Sequence, residues 1–230
     1  MDETMIMHRL PKEIRVLADD FLELRCRYQS ALREVRTKLE ILDDEFQMRH
    51  SRNPIHHMES RIKRPQSIAQ KLLRKELPIT PQSAMENLYD IAGIRVVCAY
   101  LNDIYTIADL LIGQDDIRLI RSRDYIKEPK ENGYRSLHLI VEVPVFLSGG
   151  KILLPVEVQI RTIAMDFWAS LEHQIRYKEV VNAPEELNQE LFDAAKKTTA
   201  LDQDMQRIHD HMVALVREQP NVSTEDDDML

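Results

Sequence analysis

Residues 129–143, PKENGYRSLHLIVEV, place polar side chains that could bind or react directly before and at the start of a predicted β-strand. From Leu137 onward apolar and polar residues alternate, which predicts a half-buried strand. The preceding residues offer a cation, an aromatic ring and hydrogen-bonding groups: Lys130, Gly133, Tyr134, Arg135, Ser136 and, on the strand itself, His138. Such a set suits a binding site at the beginning of a strand better than an apolar sheet interior.

The segment Ser148-Gly149-Gly150 separates two alternating runs and predicts a β-hairpin. A two-residue Gly149-Gly150 turn would place Leu139 opposite Ile160 on an apolar face, and Glu142 opposite Glu157 on the other face. Two carboxylates in that arrangement require solvent, a cation or a different register. The polar face would form the floor of a site that includes His138, Glu157, Gln159 and Arg161.

Basic residues form two groups in an otherwise acidic chain. The chain has only five glycines, and none has the spacing of a phosphate-binding glycine-rich loop, so bound phosphates would need basic side chains and a metal. A helix predicted over residues 55–76 would carry Lys71, Arg74 and Lys75 on neighbouring turns. One basic run is most often a solvated helix face, whereas two favour an anionic ligand. The two groups are Arg61, Lys63, Arg64, Lys71, Arg74 and Lys75, and then Arg121, Arg123 and Lys130.

Length and composition predict one domain with appended helices. The chain has 230 residues, 43% of them hydrophobic, and a net charge of -8, which argues against a general nucleic-acid binder. It has no signal-peptide pattern, no run of membrane-spanning length and two well-separated cysteines, which we expect to be reduced. We therefore expect a protein of the cytoplasm that binds no membrane.

Helical periodicity predominates at both ends of the chain, and strands are predicted in the middle. A continuous apolar run over residues 91–100 predicts a buried strand. The acidic residues 219–230 are predicted to be disordered. The other predicted elements are one long helix or a helical pair over 11–50, a helix over 55–76, a helix over 102–112, a strand over 117–120, the hairpin, a helix over 163–178 and a last helix over 183–216.

Four ordered motifs make the chain resemble the synthetase domain of the RelA/SpoT family. They are DIAGIR at 90–95, RDYIKEPKENGYRSLH at 123–138, VEVQIRT at 156–162 and FWASLEH at 167–173. The resemblance covers about residues 61–178 and implies transfer of pyrophosphate from ATP to the ribose 3'-hydroxyl of GDP or GTP, which makes ppGpp or pppGpp. Because only helices flank this core, the chain resembles a small alarmone synthetase.

The resemblance also implies the fold and its division. We expect a nucleotidyltransferase-like α/β (α+β) fold, in which helices surround a mixed sheet of about five strands. Residues 1–54 would be an N-terminal helical segment, 55–180 the catalytic domain, 181–218 a C-terminal helix for oligomerisation and 219–230 an acidic tail. Small relatives form homotetramers through such flanking helices, and the apolar surface of the long helices predicts the same here.

The resemblance assigns a role to each candidate residue. Asp90 and Glu157 would be the catalytic pair that binds magnesium, or manganese in its place, and Glu157 is either chiefly a ligand or chiefly the base for the 3'-hydroxyl. Tyr134 would stack on guanine, and Arg61 and Arg95 would enclose the ATP base. The ATP-binding set is Arg61, Lys63, Ser67, Lys71, Arg74 and Arg95, and the GDP- or GTP-binding set is Lys130, Tyr134, Ser136, His138, Gln159, Arg161 and Glu172.

Three departures from the family pattern leave alternatives open. Arg64 follows Lys63, so either cation is a candidate phosphate ligand, and Ser136 is either a ligand or a strand-start hydroxyl. Asp166 replaces an asparagine and adds a negative charge beside the acceptor. Residues 58–60 lack the aromatic and threonine residues expected for regulation by product.

Two other functions fit the same scaffold. A toxic relative would transfer pyrophosphate to tRNA 3' ends or to adenine nucleotides, although the net charge of -8 argues against tRNA. An inactive regulator would bind nucleotides or RNA, although a pair such as Asp90 and Glu157 is unnecessary for binding alone. The sequence leaves open the preference between GDP and GTP, and the physiological trigger.

Overall fold

The computed structural model describes residues 12–50, 52–178 and 185–218. The helices in these ranges are α1 (Lys12–His50), α2 (Pro65–Arg74), α3 (Pro81–Asn87), α4 (Leu101–Ile112), α5 (Ile163–Lys178) and α6 (Glu185–Glu218). The strands are β1 (Ile55–Ile62), β2 (Ala92–Cys98), β3 (Arg118–Asp124), β4 (Leu137–Leu147) and β5 (Gly150–Thr162). The predicted tail, 219–230, lies outside the described residues.

The five strands form one mixed sheet in the order β1-β2-β5-β4-β3. Strands β2 and β5 are parallel, and the other neighbouring pairs are antiparallel. The expectation of a mixed sheet of about five strands with helices around it is therefore confirmed. Among the described residues, no helix is long and apolar enough to cross a membrane.

Helix α1 is one continuous helix that packs on the sheet through an apolar stripe. The stripe is buried because its residues recur at three- and four-residue spacing and so lie on one helical face. It is packed against alternate residues of β4 and β5, among them Val141 and Val156, in one hydrophobic core. The buried residues of the stripe are Phe21, Leu24, Tyr28, Ala31, Leu32, Val35, Leu39 and Leu42.

The predicted helix over 55–76 is wrong in its first half. Ile55, Met58 and Ile62 recur at helical spacing, but this segment is β1, which pairs antiparallel with β2 along most of its length. The helix begins only at Pro65, because proline lacks an N–H and is tolerated in the first turn of a helix but not in its interior. Arg61 therefore lies on a strand and not on the same helix as Lys71.

The turn of the β4–β5 hairpin differs from the predicted one. Leu147 lies opposite Gly150, so the two turn residues are Ser148 and Gly149 instead of Gly149 and Gly150. Gly150 has a φ of 117°, a value that side-chain-bearing residues rarely adopt. Gly149 is thus the second turn residue, and Gly150 is the first residue of β5.

The predicted hairpin register is consequently wrong by two residues. Glu142 lies opposite Pro155, and Ile140 lies opposite Glu157. A shift of two keeps every side chain on its predicted face, because side chains alternate between faces with a period of two. The predicted repulsion between Glu142 and Glu157 is relieved, and Glu142 Oε2 instead accepts a hydrogen bond of 2.6 Å from Arg118 Nη2 on β3.

Candidate active site

A cleft of about 260 Å³ opens on the polar face of β1, β2 and β5. It forms there because Arg61 on β1 lies opposite Gly93 on β2, and Gly93 lies beside Glu157 on β5. Five residues predicted from the sequence line this cleft, namely Arg61, Asp90, Arg95, Glu157 and Gln159.

Asp90 lies two residues before the start of β2 and is held by two lysines. Lys63 Nζ and Lys71 Nζ each donate a hydrogen bond of 2.5 Å to Asp90 Oδ2. Burial alone would raise the pKa of Asp90, but the hydrogen bonds and charges of the two lysines outweigh burial and lower the pKa. Asp90 is thus ionised, and its buried Oδ1 has no hydrogen-bond partner among the described residues.

Glu157 is positioned by its neighbours on β4 and β5. Gln159 Nε2 donates to Glu157 Oε2 at 3.1 Å, and His138 Nδ1 lies 3.7 Å from Glu157 Oε1. The side chain is half-buried in the cleft wall, so it can reach a bound molecule without crossing the apolar core.

The donor set of the cleft fits a magnesium ion shared with phosphates. No group of three or more His, Cys, Asp and Glu side chains suited to a metal exists in the described ranges, so a site formed wholly by such side chains is absent there. Two carboxylates, Asp90 and Glu157, nevertheless line one cleft, and Asp90 Oδ1 is unpartnered. Magnesium commonly takes one or two protein carboxylates and completes its shell with phosphate and water oxygens.

Arg161 is the centre of a hydrogen-bond network beside the cleft. Its guanidinium, which is 5% exposed with the rest of the residue, donates from Nη2 to Tyr134 Oη at 2.6 Å and to Gln159 Oε1 at 3.0 Å. Its Nη1 lies 3.2 Å from Asp166 Oδ1, an atom that is also 3.3 Å from Arg95 Nη1. Asp166 therefore connects the two arginines assigned to opposite substrates.

Neutral His138 fixes the direction of the hydrogen bonds around Tyr134. Burial, followed by the charges of Arg161, Lys130 and Arg123, lowers the pKa of His138 to about 4. Tyr134 Oη lies 2.8 Å from His138 Nε2. Because the hydroxyl accepts from Arg161, its own proton can be donated to Nε2, which leaves the imidazole proton on Nδ1, the nitrogen closer to Glu157.

The face and edge of the Tyr134 ring also contact a lysine and a second aromatic ring. Lys130 Nζ lies 4.5 Å from the ring centroid, and Tyr125 contacts the same ring edge-on at 6.1 Å. The ring could receive a flat base if the Lys130 ammonium moved to an anionic group.

The remaining predicted residues lie around this centre. Lys63, not Arg64, contacts Asp90, whereas Arg64 is exposed at the N-cap of α2. Ser136 is fully buried and donates to Ile160 O at 3.2 Å, so it reaches the site only through Arg161, which lies 3.4 Å away.

The three other predicted residues occupy helices. Ser67 is half-buried in the first turn of α2, and Arg74 is exposed at the C-terminal end of α2. Glu172 on α5 accepts a hydrogen bond from Asn132 Nδ2 at 3.0 Å and so supports the segment before Tyr134. The structure thus groups all but Ser67 and Arg74 into one contact network or cleft.

Sequence reasoning missed Asp202, a buried partner of the site, and gave no role to Arg135, which it had named among the candidate residues. Arg135 adjoins Tyr134 in the sequence, and Asp202 lies far away on α6, where the two form an ion pair of 3.1 Å. The available signal was helical spacing, because Ala195, Thr199 and Asp202 share one helical face. That spacing does not reveal which residue the face contacts.

Paired carboxylates in a cleft rimmed by lysines and arginines define a class of enzyme that transfers phosphoryl groups from nucleotides. The chain belongs to the RelA/SpoT family, because residues 60–182 match the family described as "Region found in RelA / SpoT proteins". It is 43% identical over 193 residues to the GTP pyrophosphokinase YwaC of Bacillus subtilis (strain 168). The aligned residues make up 84% of this chain and 92% of that protein.

Solved structures of the same family have the same fold. Small alarmone synthetase 2 from Bacillus subtilis matches with a TM-score of 0.76 and 42% identity, covering 84% of this chain and 99% of that chain. Small alarmone synthetase 1 from Bacillus subtilis, bound to its product pppGpp, matches with a TM-score of 0.76 and 34% identity, covering 83% and 97% respectively.

Neutral His138 predicts a loss of stability at mildly acidic pH. Folding lowers its pKa from 6.5 to about 4, so the unfolded state takes up the proton first as the pH falls. Between pH 7 and pH 5 the free energy of unfolding should fall by about 2 kcal/mol more in the wild type than in His138→Gln. Urea denaturation at both pH values measures this difference.

The matched control is His211→Gln, which changes an exposed histidine on α6. It should keep the pH dependence of the wild type. An equally steep fall in His138→Gln would assign the effect to another group.

Proposed function

We propose that the protein is an ATP-dependent pyrophosphokinase that makes ppGpp from GDP or pppGpp from GTP and releases AMP. The observation that carries this proposal is the cleft in which Asp90 and Glu157 lie with Arg61 and Arg95. Family membership supports it, and so does the name GTP pyrophosphokinase of the relative that is 43% identical. The catalytic unit proposed is residues 55–180.

On the donor side, basic side chains would hold ATP. Arg61 and Arg95 both line the cleft and offer planar cations to the adenine ring. Lys63 and Lys71, which pair with Asp90, would contact phosphate oxygens as well. Ser67 and Arg74 on α2 would extend this phosphate-binding surface. Asp90 and Glu157 would hold magnesium or manganese, which would neutralise the charge on the transferred phosphates.

On the acceptor side, Tyr134 would present its ring to guanine while Lys130 moves from the ring to a phosphate. Arg161 and His138 fix the ring through its hydroxyl, and Gln159 connects Arg161 to Glu157. The remaining assigned residues would act through other residues and not by contact with the nucleotide. Ser136 is hydrogen bonded to Arg161, and Glu172 is hydrogen bonded to Asn132.

Glu157 is the group proposed to accept the proton of the attacking 3'-hydroxyl. It lies between the donor cleft and the acceptor network, with Gln159 and His138 on either side. His138 is neutral and so presents no positive charge to Glu157. The proposed substrates ATP, GDP and GTP are consistent with a cytoplasmic location of the protein.

Incubation of the purified protein with β,γ-labelled ATP tests the proposal. Label should appear on GDP or GTP, with release of AMP, and the transfer should require magnesium or manganese. Parallel reactions with tRNA and with adenine nucleotides test the toxic alternative, and label on those acceptors alone would refute alarmone synthesis. Nucleotide binding without any transfer would indicate an inactive regulator.

Substitution of Glu157 tests the proposed base. Glu157→Gln keeps the size of the side chain but removes the charge needed for proton acceptance and metal binding. Turnover should fall by about 10²–10⁴-fold while circular dichroism and unfolding remain unchanged. The control, Glu142→Gln, changes a carboxylate on the same sheet face that pairs with Arg118, and it should cost little activity. Near-normal turnover of Glu157→Gln would refute the mechanism.

Substitution of Tyr134 separates base stacking from packing. Tyr134→Ala removes a stacking surface of about 1–3 kcal/mol, so KM for GDP or GTP should rise about 5- to 150-fold, with a much smaller change for ATP. Tyr134→Phe keeps the ring and loses only the hydroxyl, so steady-state kinetics should show a smaller rise. Equal increases in KM for both nucleotides would identify Tyr134 as a packing residue.

We further propose that the protein forms a homotetramer through its long helices. Five apolar residues of α6, each between 44% and 57% exposed, follow alternating spacings of four and three: Leu201, Met205, Ile208, Met212 and Leu215. Such a seam is typical of helix–helix association.

Light scattering should therefore give a mass above that of the 27.0 kDa chain. Ile208→Glu should lower the mass by placing a charge in the seam, whereas Gln203→Glu, an exposed change on another face of α6, should not. A wild-type mass that stays monomeric at every concentration would refute the tetramer.

A further inference from the structure

The acceptor loop, defined here as residues 125–136, is tied to α6 by a buried ion pair. Arg135 Nη1 donates to Asp202 Oδ2 at 3.1 Å and to Thr199 Oγ1 at 3.2 Å. Arg135 is 8% exposed and Asp202 is 6% exposed. Since burial of two charges is expensive, the net stability gained from such a pair is small, and its clearest consequence is a fixed geometry.

Asp202 holds two strand ends at once. Burial raises the pKa of Asp202, and the side chains of Thr162, the last residue of β5, and Arg135, just before β4, both oppose that rise. Their neighbours in the chain, Arg161 and Ser136, are themselves in contact. The carboxylate therefore lies at the junction where the acceptor network begins.

A second contact brings the loop backbone against α6. Gly133 has a φ of 84°, and a Cβ placed on it would lie 2.5 Å from the Cβ of Ala195. The loop can approach the helix this closely only because residue 133 lacks a side chain. Tyr134 and Ala195 also pack in one small apolar cluster with Trp168.

We propose that α6 positions Tyr134 for the guanine nucleotide, through Asp202 on Arg135 and through Ala195 on Gly133. The contacts hold both chain neighbours of Tyr134, so they set the position of its ring. Asp202 and Ala195 do not line the catalytic cleft and act only through the loop. This inference rests on the proposed function, in which Tyr134 binds the acceptor.

The position of the contacts determines which kinetic constant should change. The ATP side of the cleft is formed by β1, β2 and α2, none of which supplies a partner to the Arg135–Asp202 pair. A loosened acceptor loop should therefore weaken binding of GDP and GTP and leave ATP binding nearly unchanged. A purely structural role would lower stability without that selectivity.

Asp202→Asn tests the ion pair by removal of one charge. KM for GDP and GTP should rise about tenfold, and KM for ATP should stay within about twofold of the wild type. The control is Asp204→Asn, which removes an exposed carboxylate of α6 paired with Arg207 at 2.9 Å. It should leave both constants unchanged.

A double variant distinguishes a loss of loop positioning from simple unfolding. Arg135→Met with Asp202→Leu removes both charges, and apolar replacement of a buried ion pair is often neutral or stabilising. This variant should fold and still show the raised KM for the guanine nucleotide. GDP binding, followed by the fluorescence of Trp168, the only tryptophan of the chain, should weaken in parallel.

The outcomes separate this inference from the proposed function. An active wild type whose double variant kept a normal KM and normal GDP binding would overturn the positioning role alone, as would equal increases in KM for ATP and GDP. A wild type that transferred no pyrophosphate to GDP or GTP would overturn the proposed function itself.

Discussion

Parallel pairing of β2 with β5 is the constraint on which the site depends. Gly93 lies beside Glu157 in this pairing, and the segments meet across more than sixty residues of chain. Asp90, just before β2, and Glu157 on β5 are thereby brought to one cleft. Antiparallel neighbours on either side then add Arg61 from β1 and His138 from β4. No local segment contains this constellation.

The electrostatics of the site are arranged within an acidic molecule. The chain carries a net charge of -8, yet the cleft combines its two carboxylates with Arg61 and Arg95 and adjoins Lys63 and Lys71. Lys63 and Lys71 pair with Asp90, so neither ammonium is left uncompensated. Asp166 does the same for Arg95 and Arg161.

Helix α6 has separate faces, and a different role is proposed for each. Ala195, Thr199 and Asp202 face the acceptor loop, whereas Leu201 and Ile208 belong to the exposed apolar seam. One helix thus joins the proposed oligomer surface to the proposed guanine site.

The amino-acid sequence determined the elements with strong periodicity and the chemistry available to them. The long terminal helices, the buried β2 and the segregation of polar from apolar residues along β4 and β5 could all be predicted, because each pattern lies within one short window. Tertiary structure decided what each face contacts. It made residues 55–62 a strand through pairing with β2, moved the hairpin register by two residues, and chose Asp202 as the partner of Arg135. These outcomes depend on hydrogen bonds and packing between distant segments, whose energies no local periodicity contains.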